Sequence, residues 1–302
     1  MPRATTLLAT AALTLAGTAG GWAAAPSYSA AAAMPTISIG ATNFSEQVIV
    51  ADLYSDVLQH AGFKTTVHTG GTRAAVEPAL AKGDIDLYPD YAGSLLVFLK
   101  PKDTKQATQL STDVPALKSA LAPSGATVLT PSKALDTNVF AVTKATAAKY
   151  HLTTLSSLKK EAPQLVFGAP AECTTYYYCL PGLQKVYGLK FKSFVSTDEA
   201  GPIAVADLKN GKVQVVELFS SNGAVVENGF VQLVDNRHLE PADFVTPVIR
   251  KSVDTQAVAK ALNAMDAKLT TVQLEHLNID FSSKHQPEAT IASNWLKSQG
   301  LT

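Results

Sequence analysis

The sequence predicts an α/β protein of two lobes joined by two hinge crossings, and three observations carry that prediction. Short β-like segments alternate with helical ones, the pattern of parallel sheets with crossover helices. One helix-to-strand junction, Ala81-Lys82-Gly83-Asp84-Ile85-Asp86-Leu87, is echoed by Lys209-Asn210-Gly211-Lys212-Val213-Gln214-Val215. The chain also passes between lobes twice, near Asn138 and near Asp243. Residues 34–138 with 243–302 then make one lobe and residues 139–242 the other, and paired crossings of this kind allow closure around a ligand.

In chain order, Arg3 precedes an apolar stretch from Leu7 to Ala16, followed by small residues through Ala33. One positive charge, a short apolar core and Ala-x-Ala sites describe a secretory signal peptide over residues 1–33, with Ala25 and Ala33 both possible cleavage points. The run is too short to span a bilayer. Thr36 to Gly40 is the first strand. A helix follows with Ile49, Leu53 and Val57 on one stripe, and Val50, Tyr54 and Leu58 beside it. Asn43 with Glu46 suggests a capping box, and Gly62 a helix stop. Lys64 to Thr69 is the next strand. Gly70-Gly71-Thr72 then opens a helix with Thr72 as N-cap, either a plain tight turn or one whose N–H groups receive a polar ligand group. Pro78 should end or kink that helix.

The second lobe begins near Val139-Phe140-Ala141-Val142. It continues with strand 164–168, helix 181–187, strand 191–195, helix 201–209 and strand 213–219. Phe244 to Ile249 is a last strand, and the helices from Thr255 onward return to the first lobe. The step from Gly83 to Gly211, carried forward, sets Tyr91 opposite Phe219. Each aromatic then stands just past a strand's carboxyl end, which is where ligands of open α/β sheets bind.

Composition narrows the function classes. The 302 residues carry 25 basic and 25 acidic side chains, and no basic stripe offers a phosphate backbone anything to hold, so nucleic acid is excluded as a partner. The six histidines are scattered outside metal-ligand spacing, and no Gly-x-Ser-x-Gly elbow or Walker loop occurs. Cys173 and Cys179 are the only cysteines. In an oxidising compartment they read as a disulfide that shapes the segment Thr174 to Tyr178, in preference to a metal site or a nucleophile. Neither cysteine lies near the leader, so no lipid anchor is expected.

Three stretches resemble one family. They are Ile39-Gly40-Ala41-Thr42-Asn43-Phe44-Ser45-Glu46-Gln47, Gly70-Gly71-Thr72, and Asp84-Ile85-Asp86-Leu87-Tyr88-Pro89-Asp90-Tyr91-Ala92-Gly93. They look like the osmoprotectant-binding proteins, the glycine betaine, choline and carnitine receptors of ABC importers. Pro181-Gly182-Leu183 and Leu262 to Leu277 extend the similarity over the chain beyond the leader. The resemblance implies a type II periplasmic-binding-protein fold and a permease partner with its ATPase. It also implies an aromatic cage that holds a quaternary ammonium by cation–π attraction. Tyr91 matches the first cage tyrosine and Phe219 stands where another aromatic is usual.

Elsewhere the chain departs from that pattern: Asn138 and Asp243 stand where cage tyrosines are usual, Thr42 where a lysine is, and Tyr176 where an arginine is. Without those two bases a buried ligand carboxylate would cost several kcal/mol more. An acid at Asp243 favours a cation or a hydroxyl-rich solute instead. Tyr176 to Tyr178 either replace cage walls or form an exposed, disulfide-clamped loop.

The expectation is therefore a non-enzymatic, monomeric, exported solute receptor, periplasmic or else secreted. It should need no cofactor and no metal, with Asn43, Phe44, Gly71, Thr72, Tyr91, Asn138, Tyr176, Phe219 and Asp243 around the solute. A secreted enzyme or an interaction protein are the competing classes. Turnover of a solute would single out the first, and failure to close on any small molecule the second.

Overall fold

The computed structural model describes residues 36–101, 107 and 109–302; the leader expected over residues 1–33 lies outside them. The first strand β1 (Thr36–Ala41) leads into α1 (Ser45–His60), whose stripe of Ile49, Val50, Leu53, Tyr54, Val57 and Leu58 is buried, as its spacing demands. Next come β2 (Lys64–Thr69), α2 (Arg73–Lys82), β3 (Leu87–Tyr91), α3 (Ala92–Leu99), α4 (Leu110–Leu121) and β4 (Ala126–Val128). The chain then crosses to β5 (Asn138–Val142), α5 (Lys144–Tyr150), α6 (Leu158–Glu161) and β6 (Val166–Ala169). The short α7 (Leu180–Gly182) runs on into a π turn, Leu183–Tyr187, before β7 (Ser193–Ser196) and α8 (Pro202–Lys209). β8 (Val215–Phe219), α9 (Gly223–Glu227) and β9 (Val231–Leu233) complete this part. The return crossing leads to β10 (Val245–Arg250), α10 (Gln256–Asp266), α11 (Thr271–Ser282) and α12 (Glu288–Ser298).

Two five-stranded sheets result, ordered β2-β1-β3-β10-β4 and β7-β6-β8-β5-β9. In each, three parallel strands are joined by an antiparallel fourth, β10 or β5, which lies next to a crossing. The junction echo in the sequence is thus a repeat of whole-sheet topology: β3 and β8 are equivalent central strands, each entered after a left-handed glycine, Gly83 or Gly211. Only glycine takes that backbone without strain.

Each sheet is covered on both faces. In the first, α1 packs with α10 and α12 on one side and α2, α3 and α4 fill the other. In the second, Phe140, Phe167, Tyr187 and Val215 anchor one face, while Leu208, Val216 and Leu218 anchor the other. Each buried side chain of this size contributes about 1.5–3 kcal/mol. The crossings run side by side: Asp136 N–H donates to Asp243 O at 2.9 Å and Val245 N–H to Ala134 O at 2.9 Å.

One local expectation is corrected and another, that Pro78 should end or kink its helix, is narrowed. The Asn43–Glu46 capping box does not form; Phe44 is the N-cap and makes no side-chain cap bond. Gln47 takes over this end, accepting from Thr42 N–H at 3.3 Å and Thr42 Oγ1 at 2.6 Å, which leaves Glu46 free to turn inward. Pro78 does not end α2, which continues to Lys82. Thr72 holds the N-cap position there but makes no capping bond with its side chain.

Candidate solute-binding cleft

A cleft of about 860 Å³ opens where the carboxyl ends of the two sheets meet the crossings. The first sheet contributes Asn43 and Phe44 after β1, Thr72 and Arg73 after β2, and Tyr91 at the end of β3. The second contributes Glu172, Cys173 and Tyr176 after β6, Glu199 after β7, and Glu217 and Phe219 on β8. Asp136 and Asn138 come from one crossing, Pro241 and Asp243 from the other. Of the nine residues the sequence nominates, eight line this cleft. Gly71 does not; its left-handed backbone (φ 79°) turns the chain, and its carbonyl accepts from Asn43 N–H at 3.2 Å.

The aromatic walls are arranged differently from the expected Tyr91–Phe219 pair. Phe44 meets Phe219 edge to face, with ring centroids 5.9 Å apart, so these two rings join the lobes. Tyr91 presents its ring to the cleft while its hydroxyl donates to Glu46 Oε1 at 2.6 Å. Tyr176 lines the cleft and packs edge-on against buried Tyr178, with centroids 5.6 Å apart. The expected Cys173–Cys179 disulfide is present and closes the loop that carries these rings. Gly182 secures the loop's exit, since a Cβ there would strike the Tyr177 carbonyl.

Polar groups are mostly committed to the protein itself. Both amide hydrogens of Asn138 are taken, by Tyr178 O at 3.2 Å and by Glu240 Oε2 at 3.1 Å, which leaves its Oδ1 for the cleft. Asp243 accepts from Ser94 N–H at 2.6 Å and Ser94 Oγ at 2.7 Å; burial raises its pKa to about 6. Asp136 accepts from Ser221 Oγ at 2.6 Å and is pushed well up by burial and by nearby Glu46. Burial also raises Glu46, which Tyr91, Ser221 and Asn278 partly offset by donating to it.

Sequence reasoning missed Arg73, Asp136 and Glu217. Arg73 forks onto Asp90, with Nη2–Oδ1 at 2.7 Å and Nε–Oδ2 at 2.9 Å. Asp90 also accepts from Tyr91 N–H at 2.8 Å, so the guanidinium braces the cleft wall and arrives there already neutralised. Among the described residues, Arg73 is the one Lys or Arg lining the cleft, against five carboxyl groups: Asp136, Glu172, Glu199, Glu217 and Asp243. Cys173, Cys179 and Glu217 lie close enough together to suggest a metal triad, but the sulfurs are bonded to each other.

Two sheets of one topology, linked by paired crossings and opening a cleft at their carboxyl ends, define a two-lobed α/β solute-binding protein. The family model for the substrate-binding domain of ABC-type glycine betaine transport systems matches residues 35–298, and the chain belongs to that family. It is 28% identical to the glycine betaine-binding protein YehZ of Escherichia coli K12, over 92% of this chain and 95% of that one. It is 24% identical to the ergothioneine transport permease/ergothioneine binding protein EgtU of Helicobacter pylori, over 85% of this chain but 46% of that longer one. A crystal structure of a glycine betaine/carnitine/choline ABC transporter protein superposes with a TM-score of 0.79 at 22% identity, covering 88% of this chain and 99% of the other. That likeness establishes the type II binding-protein fold. Among the described residues no helix is long and apolar enough to cross a membrane.

Proposed function

We propose that this chain is the exported receptor of an ABC importer, capturing a quaternary-ammonium solute of the choline or glycine betaine type between its lobes and presenting it to the permease. The balance of charge around the cleft carries the reading. Among the described residues, five carboxyl groups and the rings of Phe44, Tyr91, Tyr176 and Phe219 line a space whose one guanidinium is already paired with Asp90. Aromatic faces and carboxylates both attract a cation, and each desolvated cation–π contact is worth about 1–2 kcal/mol. Among the described residues a solute carboxylate finds no free base there, so a choline-like cation is favoured over a zwitterion. Family membership supports the importer partner, and the apolar, Ala-rich start of the sequence supports export to a periplasm or beyond. The receptor is read as a monomer that performs no chemistry on its solute.

Ligand-induced stabilisation of the purified protein tests this, with choline, glycine betaine, carnitine, ergothioneine, polyols and amino acids as the panel. A ligand at about 100 Kd adds near 2.7 kcal/mol. The expected result is a clear shift with choline and a smaller one with glycine betaine. A shift with only an uncharged solute would keep the receptor role and overturn the assigned solute class.

A further inference from the structure

The cleft holds one buried carboxyl group that the protein leaves without a donor. Strand alternation puts Glu217 on the same face of β8 as Phe219, two residues nearer the sheet, and both line the cleft. The side chain is buried, at 7% exposure. Among the described residues no N–H or hydroxyl donates to it. Its neighbour is the disulfide, with Oε2 3.2 Å from Cys179 Sγ.

The other cleft acids are provided for. Asp243 is held by Ser94 and Asp136 by Ser221, while Glu172 and Glu199 are exposed to water. A disulfide sulfur carries no proton, so it gives an ionised carboxylate nothing, although it can accept weakly from a protonated one. An uncompensated buried carboxylate is costly. The environment of Glu217 therefore suits a neutral acid in the empty cleft and an ionised one only when a positive charge enters.

We infer that Glu217 is the specificity-determining residue of the cleft, the carboxylate that faces the positive head of the solute and selects a cation over a zwitterion. This rests on the reading of the cleft as a quaternary-ammonium site. Among the described residues, the charged groups that act on Glu217 are acidic: Glu172 and Glu199 from the loops after β6 and β7, and Glu240 from the second crossing. Burial first, then Glu199 and Glu172, raise its pKa to about 8. Near neutral pH a bound cation thus displaces the Glu217 proton to the solvent, and affinity should climb with pH until the free acid is itself ionised.

The test is titration calorimetry of wild-type protein, Glu217→Gln and Glu217→Asp with choline and with glycine betaine, from pH 6.5 to pH 9. In the wild type, choline affinity should rise with pH, at most tenfold per pH unit, and level off above about pH 8. Glu217→Gln should lose about tenfold or more in choline affinity at the plateau, lose the rise, and lose less affinity for glycine betaine, whose own carboxylate offsets part of its positive charge. Glu217→Asp keeps the charge and should keep the rise, so a folding defect in one variant does not decide the matter. A Gln variant with wild-type choline affinity and an unchanged pH profile would overturn the role of Glu217 and leave the receptor reading intact. A wild type that binds no quaternary amine at any pH would overturn the reading of the cleft as a quaternary-ammonium site, and this inference with it.

Discussion

Tyr91 offers its ring to the cleft and its hydroxyl to Glu46 Oε1, and two substitutions separate those contributions. Tyr91→Ala removes a cation–π wall worth about 1–2 kcal/mol, so choline affinity should drop roughly tenfold in a calorimetric titration. Tyr91→Phe keeps the wall and should leave affinity within about threefold. It also leaves a Glu46 oxygen without that donor, lowering stability by about 1–3 kcal/mol in a denaturant titration. Unchanged affinity in the Ala variant would mean that Tyr91 is not a wall. The sequence could nominate Tyr91, because it closes a strand whose twin ends in Phe219. It could not show the tie to Glu46, since a hydrogen bond across 45 positions leaves no local pattern. Arg73 was hidden for the same reason: its meaning comes from Asp90, which faces it only once β3 lies beside the start of α2. Asn138 shows the converse. The sequence pointed to the cleft, but its amide hydrogens belong to Tyr178 and Glu240.

At the scale of elements, the loop between β6 and α7 decides how firmly Tyr176 stands. Its disulfide joins cysteines six positions apart, a short loop whose closure stabilises the fold by about 2 kcal/mol. Replacing both cysteines with alanine should lower the denaturation free energy by about that amount and weaken choline binding as well, because the Tyr176 wall loosens. Binding unchanged in a destabilised double variant would make the bridge purely structural. Gly223, at the start of α9, is the corresponding tight point between lobes: a Cβ there would run into Ile279 of α11. Gly223→Ala should therefore destabilise by about 1–3 kcal/mol, and Ile279→Ala in the same chain should recover much of the loss. Regular elements were legible because burial imposes a period on sequence, as the α1 stripe shows. Ends were less so. Asn43 and Glu46 have capping-box spacing, yet Gln47 and Thr42 satisfy that end first, and Glu46 is drawn to Tyr91 and Asn278. No period announced the three-residue strands β4 and β9, which owe their existence to the neighbours β10 and β5.

Across the whole molecule the lobes meet over a store of buried acid. Asn278 of α11 donates to Glu46 Oε2 at 2.6 Å and to Ser221 O at 3.0 Å, and Ser221 in turn holds Asp136. Burial raises the pKa of Glu46, Asp136, Glu240 and Asp266, and takes Glu217 to about 8 and Asp243 to about 6. The sign follows from proton counts. Between the ordinary carboxylate range and these raised values, the folded chain holds protons that the unfolded chain has lost, so stability falls as pH rises. This is the reverse of a salt-bridged carboxylate. The solute-free protein should therefore show a higher denaturation midpoint near pH 5 than near pH 8, measured at constant ionic strength. A flat or rising profile would mean that partners compensate the ionised acids. Saturating choline should flatten the fall between pH 6 and pH 8, because a bound cation favours the ionised form of any acid it faces. Glycine betaine, which brings its own carboxylate, should flatten it less. The gap between the two profiles then measures how far the cleft is built around a positive charge alone.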